Sequence, residues 1–101
     1  MTRNEYLLTI VSEECAEIQQ AVSKVLRFGT NGYHPDNPVV SNGEWLLVEY
    51  YQLEEMIEML FEAEIVEPFS LSDIIRVREN KREKVLKYME VSKHLGCLED
   101  R

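Results

Sequence analysis

Residues 2–29, TRNEYLLTIVSEECAEIQQAVSKVLRFG, decide the fold class of this chain. The stretch opens with Thr2-x-x-Glu5, which is the spacing of a helix capping box. It closes at Gly29, a residue typical of the position that follows a helix. Between these two signals the apolar residues recur at steps of three, four or seven, which predicts an amphipathic helix over Thr2 to Phe28. These apolar residues are Leu7, Val11, Ile18, Val22 and Val25.

The segment that follows the first helix has the composition of a loop. Residues 29–43 are rich in Gly, Pro, Asn and Asp, and this mixture predicts irregular structure. Ser41-x-x-Glu44 is a second capping box, from which we expect a second helix that runs to about Glu64. No alternation of apolar and polar residues in the chain is long enough to predict a strand.

A third helix is expected to begin near Ser70 or Ser72 and to end before Gly96. The fold class is therefore all-α, with three long helices and short helical turns in one domain that covers residues 1–101. The apolar arc of the second helix is wider than a monomer of three helices can cover. We therefore expect oligomerisation to complete the helical bundle.

Composition limits the classes of function. The chain has 101 residues and a formal net charge of −8, which argues against a general nucleic-acid binder because such proteins need a basic surface. No apolar run approaches the length of a membrane span, so we expect no membrane partner. Cys15 and Cys97 have neither zinc-ligand spacing nor the density of a disulfide scaffold. A reducing cytoplasm is the simplest location for such a chain.

Several carboxylates fall on the apolar faces of the first two helices. On a helical wheel Glu14 lies inside the apolar arc of the first helix, and Glu17 lies one turn further on at the edge of that arc. Glu49 lies near the middle of the apolar arc of the second helix, and Gln52 follows it on the same side. Each helix thus directs a pair of oxygen ligands, spaced i and i+3, toward the expected core.

Ionised carboxylates in a core are costly unless another group compensates their charge. Three remedies are open: shared protons with raised pKa values, ion pairs with basic residues, or a bound metal. For Glu14 and Glu49 the second remedy is available, because Arg78, Lys81 and Arg82 fall on the apolar side of the third helix. For the third remedy, a set of ligands made only of oxygen atoms suits Mg²⁺ or Mn²⁺ better than zinc.

Three short motifs follow one another along the chain. They are Glu13-Glu14-x-x-Glu17, Lys24-x-x-Arg27 and Glu49-x-x-Gln52. Their order resembles the E-E-x-x-E … E-x-x-D signature of the MazG-like all-α nucleoside triphosphate pyrophosphohydrolases. The sequence is similar to the small single-domain members of that family found in phages and bacteria, and the resemblance covers nearly the whole chain.

The resemblance implies a helical dimer or tetramer that binds Mg²⁺ and cleaves a nucleoside triphosphate to the monophosphate and pyrophosphate. By motif position, Glu14, Glu17 and Glu49 are then metal ligands, and Glu14 is also placed at the reacting centre. Glu13, the first residue of the motif, is a supporting group, an extra ligand or a base that orients water. In this reaction Mg²⁺ neutralises phosphate charge and activates the attacking water.

Basic and aromatic residues near these motifs are candidates for binding the nucleotide. Lys24 lies two turns from Glu17 on the same helix face, where it would reach a phosphate. Arg27 would act from the end of the helix, with helix capping as the alternative. Lys81 belongs to a basic trio that would clamp phosphate or pair with the carboxylates. Trp45 is a candidate for stacking on the base, although a core or interface position explains it better.

Gln52 departs from the family pattern, which has Asp at this position. Its amide oxygen can still coordinate a metal, but the amide is neutral and cannot act as a base. The site then has three negatively charged ligands instead of four. This difference keeps a second hypothesis open, in which the chain is a catalytically weakened, nucleotide- or protein-binding helical oligomer. A third hypothesis is a related helical hydrolase that acts on phosphoribosyl-ATP or another phosphoanhydride.

Overall fold

A computed structural model of the protein describes residues 1–99, which form three helices and one sheet of two strands. The helical class expected from the sequence is therefore confirmed, with one correction in the loop region. The helices are α1 (Arg3–Phe28), α2 (Asn42–Glu62) and α3 (Leu71–His94), and the strands are β1 (Tyr33–His34) and β2 (Asn37–Ser41).

The helices begin at the polar side chains that the sequence patterns indicated. Thr2 Oγ1 accepts a hydrogen bond from the backbone amide of Glu5 at 3.1 Å. Ser41 Oγ accepts one from the amide of Glu44 at 3.2 Å, and Ser70, rather than Ser72, caps α3 in the same way. Each cap satisfies an amide that has no partner within its helix, which fixes the start of that helix.

The expectation of an irregular loop over residues 29–43 is wrong. The segment contains an antiparallel hairpin in which Tyr33 pairs with Ser41 and His34 pairs with Asn37, with an irregularity between the two pairs. One strand has two residues and the other has five. Strands this short show no alternation of apolar and polar residues, so periodicity alone could not detect them.

Helices α1 and α2 pack against each other within a compact unit that covers Met1–Glu67. Leu7 near the start of α1 and Met59 near the end of α2 line one pocket, while Ala21 and Trp45 line another, so the helices run antiparallel. The buried apolar side chains of this unit are few. Leu7, Ala21 and Leu60 are the described apolar residues with less than a tenth of their surface exposed.

Helix α3 belongs to a second compact unit, which begins at Pro68. No residue of α3 is buried. The helix ends at His94 with Leu95 as its C-terminal cap, and Gly96 follows with a positive φ of 77°, a conformation that favours glycine. None of the described helices is long and apolar enough to cross a membrane. That the whole chain forms one domain stays a prediction.

Hydrogen bonds connect the start of α2 to the segment that directly follows α1. Asn42, which is 3% exposed, donates from its side-chain nitrogen to the carbonyl oxygen of Gly29 at 3.0 Å and from its backbone to that of Gly32 at 2.8 Å. The amide of Gly43 donates to the carbonyl oxygen of Thr30 at 2.9 Å. A Cβ on Gly32 would overlap backbone atoms at the end of α1, so only glycine fits this close approach.

Replacing Asn42 with Ala tests this connection. We expect Asn42→Ala to lower the free energy of unfolding by about 1–2 kcal/mol, because it removes a buried hydrogen bond between the two helix ends. Urea denaturation followed by circular dichroism measures the loss. Asn31→Ala, the same exchange at an exposed position of this segment, is the matched control. Equal losses in the two variants would contradict a role for Asn42 in joining the helices.

Candidate metal centre

Three carboxylates from the two packed helices meet at one point. Helix α1 contributes Glu14 and Glu17, and α2 contributes Glu49; one oxygen from each lies within 4.8 Å of the other two. Glu14 and Glu49 are partly buried, whereas Glu17 is exposed. The sequence pattern predicted that these three residues come together, and the structure brings them together across the helix pair.

The antiparallel arrangement explains why these particular residues meet. Glu14 and Glu17 are one turn apart on α1, so both side chains lie on the face that packs against α2. Asn42 holds the start of α2 against the end of α1. This contact sets the level along α1 that the carboxylate of Glu49 faces. The position of the site therefore depends on the hydrogen bonds between the two helix ends as well as on the two helix faces.

The electrostatics of the cluster are unfavourable in the absence of a cation. Burial, followed by the neighbouring carboxylates of Glu17 and Glu14, raises the pKa of Glu49 from the ordinary 4.5 to about 7. Burial and the charge of Glu17 also raise the pKa of Glu14, while a hydrogen bond with Glu49 opposes that rise. Both shifts mean that the ionised forms of these carboxyl groups are destabilised where they lie.

Two oxygen atoms of the cluster lack hydrogen-bond partners. Oε2 of Glu14 and Oε2 of Glu49 are buried, and neither has a partner among the described residues. Within Met1–Glu67, no Lys or Arg forms an ion pair with any of the three carboxylates. Buried polar atoms almost always have a hydrogen-bond partner or a bound ion. These two oxygens are therefore available to accept a hydrogen bond or to bind a cation. Pairing with the basic residues of α3 stays a prediction.

The residues fit a hard divalent cation. The cluster offers only carboxylate oxygens, which are the ligands that Mg²⁺ and Mn²⁺ prefer. A cation would bring the raised pKa values back down and would give the two unpartnered oxygens a ligand role. The set lacks the Cys and His ligands that are typical of structural zinc sites.

A pocket of about 400 Å³ adjoins the carboxylates. Glu17 and Glu49 form part of its wall, and Lys24 lies in the same wall two turns along α1 from Glu17. Trp45 and His34 also line this space. One pocket thus combines anionic, cationic and aromatic groups, a combination suited to a metal-bound phosphate ester that carries a ring.

The other residues that the sequence indicated lie in different places. Glu13 is exposed on α1 beside Glu14, and Gln52 is exposed on α2 and does not line the pocket. Arg27 is exposed in the last turn of α1, with its guanidinium carbon 4.7 Å from the ring centre of Phe28. Lys81 is an exposed residue of α3 and belongs to the second unit. Their roles in a site stay predictions.

Sequence reasoning missed three residues of the pocket wall, Gln20, Asn37 and Asn42. Gln20 lies three residues after Glu17, so the helical spacing that identified Lys24 could also have identified this residue. Asn37 and Asn42 had only the composition of a loop, and their position depends on the hairpin. Asn42 donates to the carbonyl oxygen of Gly29, whereas amides such as those of Gln20 and Asn37 suit the hydrogen-bonding edges of a ligand because each both donates and accepts.

Comparisons with known proteins add no family assignment. No family model, curated protein or solved structure matches the chain.

The raised pKa of Glu49 predicts how stability depends on pH without a metal. Between about pH 4.5 and 7 the folded protein keeps a proton that the unfolded chain has lost, so stability falls as the pH rises through this window. Glu49→Gln removes the group that titrates. We expect this variant to flatten the slope and to be more stable than the wild type near neutral pH, by up to roughly 3 kcal/mol.

Chemical denaturation in a chelating buffer at several pH values measures this effect. Glu54→Gln is the matched control, because Glu54 is an exposed carboxylate of the same helix. A Glu49→Gln variant that follows the pH dependence of the wild type would show that Glu49 is not destabilised in the folded protein.

Proposed function

We propose that this protein is a Mg²⁺-dependent nucleoside triphosphate pyrophosphohydrolase, which cleaves a ribo- or deoxyribonucleoside triphosphate to the monophosphate and pyrophosphate. The observation that carries the proposal is the cluster of Glu14, Glu17 and Glu49, with two buried oxygens that have no partner. The adjoining pocket, which contains Lys24 and Trp45, supports the choice of a nucleotide as the substrate. The motif resemblance supports the choice of reaction.

In this proposal Glu14, Glu17 and Glu49 hold Mg²⁺, with Mn²⁺ as a substitute. When bound, the ion neutralises phosphate charge and lowers the pKa of water. Gln52 lies one turn from Glu49 on α2 and would add a neutral oxygen ligand to the three carboxylates.

The chain's own residues orient the two reactants. Lys24 binds a phosphate oxygen at the edge of the pocket, and Trp45 stacks on the base while His34 closes the space from the hairpin side. Glu13 orients a water molecule toward the α-phosphorus and, together with Glu14, takes up its proton. Attack by that water forms one phosphorus–oxygen bond, and the bond to the bridging oxygen breaks as pyrophosphate leaves.

The active form in this proposal is a homodimer or homotetramer located in the cytoplasm. The exposed apolar side chains of α2 and α3 support self-association, which would also complete a helical bundle. The two cysteines, Cys15 and Cys97, are both free, which is usual for proteins in a reducing compartment. Arg27 and Lys81 are further candidates for contacts with phosphate.

Gln52 supports a second candidate function, a binding protein that does not turn over its ligand. The neutral amide stands where the related signature has an acid, and the side chain lies outside the pocket. A site with one fewer negative charge binds a cation less tightly. In this case the carboxylates and the pocket would hold a nucleotide with its metal, and the helical oligomer would act through that bound state.

Release of pyrophosphate from a panel of nucleoside triphosphates separates the two functions. With Mg²⁺ or Mn²⁺ we expect the monophosphate and pyrophosphate as the products, and no turnover with a chelator present. Glu17→Gln and Glu49→Gln should each lower kcat/KM by roughly 100-fold or more, because each removes a charge that holds the ion.

Glu54→Gln is the control for these variants, since it removes an equal charge from an exposed position outside the cluster. It should keep the activity of the wild type. A folded wild-type protein that releases no pyrophosphate from any triphosphate in the panel would contradict the proposed reaction. If that protein still bound a nucleotide only with metal, the second candidate would take its place.

A further inference from the structure

The turn between α1 and the hairpin contains an Asn-Gly pair, Asn31-Gly32. Asn31 is exposed, and its side chain forms no hydrogen bond with any residue that the structure describes. Gly32 has no side chain to shield its backbone nitrogen. In such a pair this nitrogen can reach the side-chain carbonyl carbon of the asparagine, which makes the asparagine amide chemically labile.

The hydrogen bond formed by the attacking nitrogen is long. The amide of Gly32 donates to the carbonyl oxygen of Gly29 at 3.3 Å, which lies beyond the usual range for N–H···O hydrogen bonds. A hydrogen bond of this length holds the nitrogen only weakly in place. The fold therefore leaves the side chain of Asn31 and the nitrogen of Gly32 able to approach each other.

A second Asn-Gly pair, Asn42-Gly43, is protected by the contacts that connect the helix ends. Asn42 is 3% exposed, and its side-chain nitrogen donates to the carbonyl oxygen of Gly29 at 3.0 Å. The amide of Gly43 donates to the carbonyl oxygen of Thr30 at 2.9 Å. Both hydrogen bonds must open before the nitrogen of Gly43 can attack the side chain of Asn42. The two pairs are alike in sequence, and the structure makes them different.

The reaction at the first pair needs only the chain and water. The Gly32 nitrogen loses its proton and bonds to the side-chain carbonyl carbon of Asn31, and the side-chain nitrogen takes up a proton and leaves as ammonia. Water then opens the resulting succinimide ring. Opening at the former side-chain carbonyl carbon gives aspartate. Opening at the former main-chain carbonyl carbon gives isoaspartate, in which the main chain runs through the former side chain and is one carbon longer.

Asn31 lies between the two carbonyl groups that accept hydrogen bonds from the first two residues of α2. On one side, the carbonyl oxygen of Thr30 accepts from the amide of Gly43 at 2.9 Å. On the other side, the carbonyl oxygen of Gly32 accepts from the backbone amide of Asn42 at 2.8 Å. An extra carbon in the main chain changes the separation of these two acceptors. Both hydrogen bonds can then no longer keep their original geometry.

Packing requires the glycine of this labile pair. A side chain after Asn31 would shield the attacking nitrogen, but a Cβ at position 32 would overlap the backbone of Phe28 at the end of α1. The close approach that connects the two helix ends therefore also keeps the reactive Asn-Gly pair in the chain.

We propose that Asn31 is a site of spontaneous deamidation in the folded protein, whereas Asn42 is protected, and that isoaspartate at position 31 weakens the connection between the end of α1 and the start of α2. Because the same connection sets the level along α1 that Glu49 faces, the modification would also disturb the candidate metal centre. The proposal does not depend on the chain's hydrolysing a nucleotide, since a protein without activity would be modified in the same way.

Comparison of the two Asn-Gly pairs in folded and unfolded protein tests the site. The wild type is incubated at mildly alkaline pH, with and without guanidinium chloride, and is then digested with pepsin at acid pH, where deamidation is slow. Mass spectrometry of the peptides measures the fraction of amide converted to acid at each asparagine over time. In the folded protein Asn31 should react roughly tenfold or more faster than Asn42, because two hydrogen bonds must open before Asn42 can react. In guanidinium chloride the two rates should be similar.

The same segment provides two controls. Asn37 precedes Pro38, which has no backbone N–H that could lose a proton and attack, so Asn37 should stay an amide in both conditions. Asn31→Ala removes the reacting side chain. This variant should show no conversion at position 31 and should leave the rate at Asn42 unchanged.

Comparison of the modified protein with Asn31→Asp tests the structural consequence. Asn31→Asp adds the charge of the aspartate product but keeps the length of the main chain. The isoaspartate form is separated from the aspartate form by chromatography. It should unfold at a urea concentration lower by roughly 0.5 M or more than Asn31→Asp does, because it loses hydrogen bonds at the start of α2.

Three results would overturn the proposal. The first is an Asn31 side chain that stays an amide in the folded protein while it reacts in guanidinium chloride, since the turn would then protect it. The second is an equal rate at Asn31 and Asn42 in the folded protein. The third is an equal urea midpoint for the isoaspartate form and Asn31→Asp, which would show that the longer main chain leaves the connection between the helix ends intact.

Discussion

Coulomb repulsion among the carboxylates of Glu14, Glu17 and Glu49 is the constraint to which the other features of this structure respond. With their oxygens within 4.8 Å of one another, each fully ionised pair would cost roughly 3 kcal/mol at an effective dielectric constant of about 20. That cost is a large part of the net stability of a small domain. The raised pKa values of Glu14 and Glu49 are one response to it. The divalent cation proposed above would be the other, and it would give the cluster a function.

Packing of α1 against α2, together with hydrogen bonds between the start of α2 and the end of α1, keeps these charges together despite their repulsion. Asn42 connects the start of α2 to the end of α1 through its side chain and its backbone, and Gly32 permits the close approach of the two segments. The core of this unit has few fully buried side chains, so local hydrogen bonds contribute a correspondingly larger share of its order. The same segment brings His34 and Asn37 to the pocket, and this links the stability of the connection to the shape of the binding space.

How much could be predicted from the sequence follows from the range of each interaction. Capping and helical periodicity are local, so the pattern at Thr2 and Ser41 was sufficient to place two helix starts. The proximity of Glu14 and Glu49 was also predictable, because each lies on the apolar face of its helix and the apolar faces of neighbouring helices pack together. The hairpin could not be predicted, since its pairing depends on hydrogen bonds between short segments without periodicity. The wheel placed Gln52 on the apolar side of α2, yet its side chain is exposed. A wheel gives a direction and does not show how far the neighbouring helix extends over it.

The most direct test of the metal site is the melting temperature of the wild type and of Glu49→Gln as Mg²⁺ or Mn²⁺ is titrated at constant ionic strength. If the three carboxylates hold the ion, the wild type should gain roughly 5 °C or more at saturation, because a ligand that binds only the folded state stabilises it. Glu49→Gln should gain little, and Glu54→Gln should gain as much as the wild type. A wild-type melting temperature that does not change with either ion would contradict the account of a metal centre between α1 and α2.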